Sequence, residues 1–120
     1  MLNEAITEVV DFITGLGLDA DVTENATAAA NSLSQGRAVI VVPPPRITAL
    51  TTVTAEFEFK TIVAAGPFDN QGRAVQTLEP LLLALMRSDL MPSDAEPNVF
   101  QSADNYPYPC YVLTHTTYSD

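Results

Sequence analysis

With 120 residues, 47% of them apolar and none a tryptophan, the chain holds material for one core of ordinary size and too little for two. Fifteen acids against five bases leave a net charge of -10. A phosphate backbone is repelled wherever that surface faces it, which excludes tight nucleic-acid binding but allows a wall past which DNA slides. Cys110 is the single cysteine, so an internal disulfide and a Cys-rich four-ligand zinc site are both excluded, and folding in a reducing cytoplasm fits.

The opening MLNEAITEVVDFITGLG spaces Leu2, Ile6, Val9, Ile13 and Leu16 by threes and fours, with Ala5, Val10 and Phe12 widening the stripe. That pattern predicts an amphipathic helix, and Gly15 and Gly17 stop it as a C-cap. Glu4, Glu8 and Asp11 stand where an export signal needs a basic start and an unbroken apolar centre, so the segment reads as structure. Residues 19–34, rich in Ala, Thr and Asn with weak periodicity, read as a loop or a short ragged element. Arg37 to Val42 is a β-branched run between Gly36 and the Pro43, Pro44, Pro45 triplet, and reads as a short buried strand.

Thr51 to Ala64 reads as one long strand ending at Gly66 and Pro67, in which Val53, Ala55, Phe57 and Phe59 alternate with Thr54, Glu56, Glu58 and Lys60. Fully extended it would reach about 46 Å, against a diameter of about 35 Å for a compact domain of this size, so part of it should overhang. An overhanging strand is either bent or completed by another chain.

A second helix follows, with Asp69 or Asn70 as N-cap and Val75, Leu78, Leu81, Leu82, Leu85 and Met86 on its apolar face. Pro80 removes one backbone donor within it, which predicts a kink or a fresh start. The run Pro80 to Met86 is the longest apolar stretch and far too short to cross a bilayer, so a soluble chain is expected. A polar, proline-bearing connection comes next, with a brief strand at Val99 to Gln101. Cys110 to Tyr118 closes the chain as a final strand. The expected fold is α+β: one domain over residues 1–120, with two helices packed on a mostly antiparallel sheet of about four or five strands.

Chemistry is sparse. Cys110 and His115, five residues apart on one strand, point to opposite faces and cannot pair as nucleophile and base; they read as a small buried thiol and a surface or interface imidazole. Glu56 and Glu58 share a face about 7 Å apart, as carboxylates of sugar-cleaving enzymes do, but with Lys60 they read as a charge ladder on a wet face. Asp19 with Asp21, and Asp94 with Glu96, lack the glycine and distal glutamate of a calcium loop. Tyr106, Tyr108 and Tyr111 lack a basic groove in which to stack bases. The five bases, Arg37, Arg46, Lys60, Arg73 and Arg87, should each find a carboxylate within the subunit or across an interface. No catalytic residue, metal ligand or cofactor is expected, and the chain is not read as an enzyme.

The stretch AVIVVPPPRITALTTVTAEFEFKTIVAAGPFDNQGRAVQTLEPLLLALM resembles the central part of tail terminator proteins of long-tailed bacteriophages, particularly those of actinobacteria. The likeness lies in the short strand entering Pro43 to Ile47, in the long strand through Phe57 and Phe59 to Gly66 and Pro67, and in the Leu-rich helix. YPYPCYVLT, from Tyr106 to Thr114, is similar to that family's final strand, and the N-terminal helix fits too. Pro80 departs from the pattern, because the family usually keeps that helix continuous. The resemblance implies a virion subunit, assembled in the host cytoplasm, that forms a homo-oligomeric ring of typically six copies on the tail tube protein. Such a ring ends tail growth and offers a docking surface to the head-side connector or stopper protein, while DNA passes through its lumen without specific binding and no membrane is involved. On that reading Glu56, Glu58 and Lys60 face a neighbour or the lumen, and Arg46 with the Pro43 to Pro45 turn lies near an inter-subunit contact. A head-side stopper or another neck component of the same particle is the nearest alternative. A small-molecule-binding α+β module, with a pocket between the Leu-rich helix and the sheet, is the alternative from another class.

Overall fold

A computed structural model of the chain describes residues 2–18, 20–35, 37–65, 71–101 and 107–119. The architecture is α+β, with three helices and six strands among the described residues, against the expected two helices and four or five strands. Helix α1 (Leu2–Gly15) buries Ala5, Ile6, Val9 and Ile13 and exposes Glu4, Thr7, Glu8 and Asp11, as its spacing predicts, but Leu16 of the predicted stripe lies past the helix end and is exposed, and the Leu2 side chain is outside the described residues. Gly17, at φ 69°, carries its end: its amide donates to the Thr14 carbonyl at 3.2 Å in a backbone region open to glycine.

Residues 19–34 are more ordered than weak periodicity implied. Asp21–Thr23 forms β1 and Ala26–Ser34 forms α2, with Asn25 Oδ1 accepting from the amides of Thr27 (2.8 Å) and Ala28 (3.2 Å). An N-cap and an alanine-rich run suffice to start a helix whose buried stripe, among the described residues, is Ala29 and Leu33. A stripe so thin leaves almost no periodic signal. Strand β2 (Val39–Val41) then returns parallel to β1, which makes the sheet mixed instead of purely antiparallel.

Strand β3 (Arg46–Ala49) and strand β4 (Ala55–Ala64) form an antiparallel hairpin, so the long strand starts at Ala55 and not at Thr51. The Thr51 hydroxyl accepts from the amides of Val53 (3.2 Å) and Thr54 (3.0 Å), and the Leu50 amide donates to the Thr54 carbonyl at 2.9 Å. That local bonding competes with extension and turns the chain. Val53, counted above among the inward residues, is 73% exposed at the tip. Strands β2 and β3 share one edge of β4, but residues 42–45 oppose only residues 59–61. The proline triplet thus forms a one-residue bulge where three successive residues lack an N–H.

Helix α3 (Gln71–Met86) is one element through Pro80, so of the kink or fresh start expected there the fresh start is absent. Pro80 and Gln76 are both exposed, so water can serve the carbonyl deprived of its donor. Leu78, Leu81 and Leu85 are buried, whereas Met86 is 40% exposed and falls outside the predicted apolar face. The Asp69 or Asn70 cap and the Gly66, Pro67 stop lie outside the described residues. Strand β5 (Asp94–Gln101) replaces the expected polar connection and brief strand, and Pro97 is tolerated because β5 is an edge. Strand β6 (Pro107–Ser119) begins before Cys110 and pairs from Cys110 to Ser119 with the whole of β4.

The sheet order is β1-β2-β4-β6-β5, with β3 beside β4. One face packs Ala5, Ile6, Val9 and Ile13 of α1 and Leu78, Leu81 and Leu85 of α3 against Ile40, Phe57, Phe59, Val63 and Leu113. The other carries a smaller cluster at one end, Ala29 and Leu33 of α2 over Val39, Val41, Ala64, Tyr108 and Cys110. The molecule is elongated, 49 × 29 × 23 Å. Among the described residues no helix is long and apolar enough to cross a membrane. Phe59 has no exposed surface, so Phe59→Ala should cost about 3–5 kcal/mol in urea denaturation. Leu83→Ala, at a site 46% exposed, should change stability by less than about 0.5 kcal/mol; equal costs would contradict this account of the core.

Candidate functional site

Cross-strand partners in a sheet share a face, so the register places the predicted residues together. Arg46 lies opposite Glu58, and Glu58 opposite Thr116; Thr48, Glu56 and Tyr118 form the next row, and Lys60, Thr114 and Asp94 the row on the other side. All belong to the face that α2 covers only at the far end. Among the described residues no helix lies over this half. Arg46, Lys60 and Thr116 are exposed, Tyr118 is 61% exposed, and Glu56 and Glu58 are half-buried by their neighbours on the sheet.

Pro43, Pro44, Arg46, Glu58 and Lys60 line an open hollow of ≈ 350 Å³ at the bulge. Three of the four residues singled out from sequence thus meet at one place, with Glu56 one row along. None of the four makes an ion pair among the described residues, although Arg46 and Glu58 are direct cross-strand partners. The expectation that each base finds a carboxylate within the subunit or across an interface holds inside the subunit for Arg37, which meets Asp21 at 3.4 Å. Arg87, like Arg46 and Lys60, makes no such pair among the described residues, and the Arg73 side chain lies outside them.

Cys110 and His115 are on opposite faces, as their spacing requires. His115 is nevertheless 3% exposed, neither on the surface nor at an interface. Its ring stacks on Phe59, with centroids 5.3 Å apart and planes 7° from parallel, and its Nε2 shares a 2.7 Å hydrogen bond with the Thr61 hydroxyl. The buried Thr61 hydroxyl supplies what an aliphatic neighbour could not, a partner for a ring nitrogen in the core. Burial pushes the His115 pKa down to about 4 and the Cys110 thiol up to about 11. The imidazole is neutral and the thiol protonated at neutral pH, so neither is poised as an acid or a nucleophile. Nothing in the sequence marks the Thr61 and His115 pair, since the two are 54 residues apart.

A second hollow, of ≈ 480 Å³, lies among the end of α1, β1 and α2, lined by Ile13, Leu18, Asp21, Thr23, Ala28 and Ser32 among others. It is not the pocket expected between the Leu-rich helix and the sheet, where Leu78, Leu81 and Leu85 are packed into the core. The Ser32 hydroxyl, donating at 2.8 Å, and Arg37 at 3.4 Å hold the Asp21 carboxyl below its ordinary range. Asp94 and Glu96 sit on the β5 edge, and among the described residues no group of three or more His, Cys, Asp and Glu could hold a metal ion. Of the tyrosines, Tyr108 is buried and Tyr111 half-buried, while Tyr106 and Asp19 lie outside the described residues.

No protein-family model matches the chain, and no curated protein matches it.

Because the folded His115 takes up its proton near pH 4 and the unfolded ring near 6.5, the unfolded state binds more protons between those values. Stability should therefore be full above pH 6.5 and fall as the pH drops toward 4, by about 3 kcal/mol at the limit. His115→Gln should flatten this part of a urea-midpoint profile, and an unchanged slope would remove His115 as its source. Cys110, 3% exposed and protonated, should react with a thiol reagent such as dithionitrobenzoate only when the chain is unfolded. Rapid labelling of the native protein would contradict its placement.

Proposed function

We propose that the chain is a structural subunit of a bacteriophage neck, a tail terminator that forms a ring of six copies on the tail tube. In that role it ends tube growth, offers the head-side connector a docking surface, and lets DNA pass through its bore. The observation that carries this reading is the uncovered half of the sheet, where Arg46, Glu56, Glu58 and Lys60 stand on one face with no ion pair among the described residues. A charged, ordered face with no covering layer is suited to meeting a neighbour or lining a lumen. The net charge of -10 adds to it, since an acidic bore repels the DNA it conducts.

A stopper on the head side of the same neck would use such a face in the same way. The hollow beside Asp21 favours a binding module of another class, but its one carboxylate is already taken by Ser32 and Arg37. Electron microscopy of the purified protein, alone and mixed with tail tubes of its phage, tests the proposal. Rings with an open centre seated on tube ends are expected. A protein that stays monomeric and leaves tubes uncapped at every concentration would overturn the terminator reading, and rings that bind only the head side would favour the stopper.

A further inference from the structure

The uncovered half of the sheet ends in two unlike edges. On one side β3 pairs only with β4; on the other β5 pairs only with β6. The β3 side places Arg46 on the uncovered face, with Lys60 one strand in beside Glu56 and Glu58, and the half-exposed Ile47 on the opposite face beside Phe57. The β5 side places the exposed Asp94 and Glu96 on that same uncovered face, through their partners Thr114 and Val112. Val99, 54% exposed, is on the opposite face. The outermost strand of each edge therefore carries charge on one face and an exposed aliphatic side chain on the other, and the two strands differ in sign: Arg46 on β3, Asp94 and Glu96 on β5.

We infer that successive copies of this chain meet edge to edge, the Asp94 and Glu96 side of one against the Arg46 and Lys60 side of the next. This rests on the ring reading and names the surfaces that would build the ring. Pairing two β5 edges about a two-fold axis would bring four carboxylates together, which is unfavourable, and pairing two β3 edges would leave those carboxylates without a cation. Pairing unlike edges is head-to-tail, and a head-to-tail contact repeats until it closes. The hollow at the proline bulge, flanked by Arg46 and Lys60 on either side of Glu58, is where an incoming carboxylate is received. Side chains make the contact, because the outer rim of β5 is poor in donors: Pro97 has no N–H, and the Val99 amide donates to Asn98 Oδ1 at 2.8 Å.

Two double variants test this, Arg46→Glu with Lys60→Glu and Asp94→Lys with Glu96→Lys. All four side chains are exposed, and circular dichroism checks that the fold is kept. The readout is sedimentation velocity and electron microscopy of each protein, with and without tail tubes. The parent chain should form rings and each double variant alone should be monomeric. An equimolar mixture of the two should form rings again, because every contact in an alternating ring is then acid against base, and so should one chain carrying all four changes. Rings from either variant alone would overturn the edge contact and leave the ring reading standing. Loss in both without rescue by mixing would overturn the pairing of these two edges. A parent chain that forms no ring under either condition would overturn both readings.

Discussion

Everything in this fold is arranged around the two unequal faces of β4. One face must be dry along its length, since Phe57, Phe59, Thr61 and Val63 are all buried there. Both long helices are therefore committed to that side, packed through Ala5, Ile6, Val9 and Ile13 and through Leu78, Leu81 and Leu85. The other face is dry only toward Ala64, where the short α2 covers it. With α1 and α3 spent on the first face, nothing among the described residues remains to cover Glu56, Glu58 and Lys60. The charged half-sheet follows from where the apolar residues stop.

How much of this was legible depended on whether a physical signal is local and periodic. The alternation from Ala55 to Lys60 is both, and it placed Phe57 and Phe59 in the core and the charges outside. The same alternation overran at its start, because threonines 51 and 54 fit a strand pattern equally well whether the hydroxyl at Thr51 faces solvent or bends the backbone. Helix α2 escaped because a two-residue stripe has no period to detect, and β1 because three half-buried residues become a strand only through a partner eighteen positions away. His115 looked like a surface group for a related reason. What makes it a core residue is the hydroxyl of Thr61, and only the pairing of β4 with β6 brings that within reach.

The candidate site was legible residue by residue but not as an arrangement. Arg46, Glu58 and Lys60 were picked for their charge, and the register assembles them around one hollow. The acids at 94 and 96 read only as an incomplete calcium loop within a polar, proline-bearing connection, and Pro97 is compatible with the strand found there because that strand is an edge. Knowing that β5 is an edge turns the same two residues into half of a proposed contact.

The proline bulge has a consequence of its own. Val39 and Val41 face α2, so strict alternation along the edge would carry Arg46 to the helical side, opposite Phe57. The one surplus residue among positions 42–45 shifts the phase, and Arg46 instead meets Glu58 while Ile47 meets Phe57. Three prolines thus act as a phase shifter between a buried half-edge and an exposed one. Removing any one of them would exchange the faces of every β3 side chain without altering the composition of β3 itself.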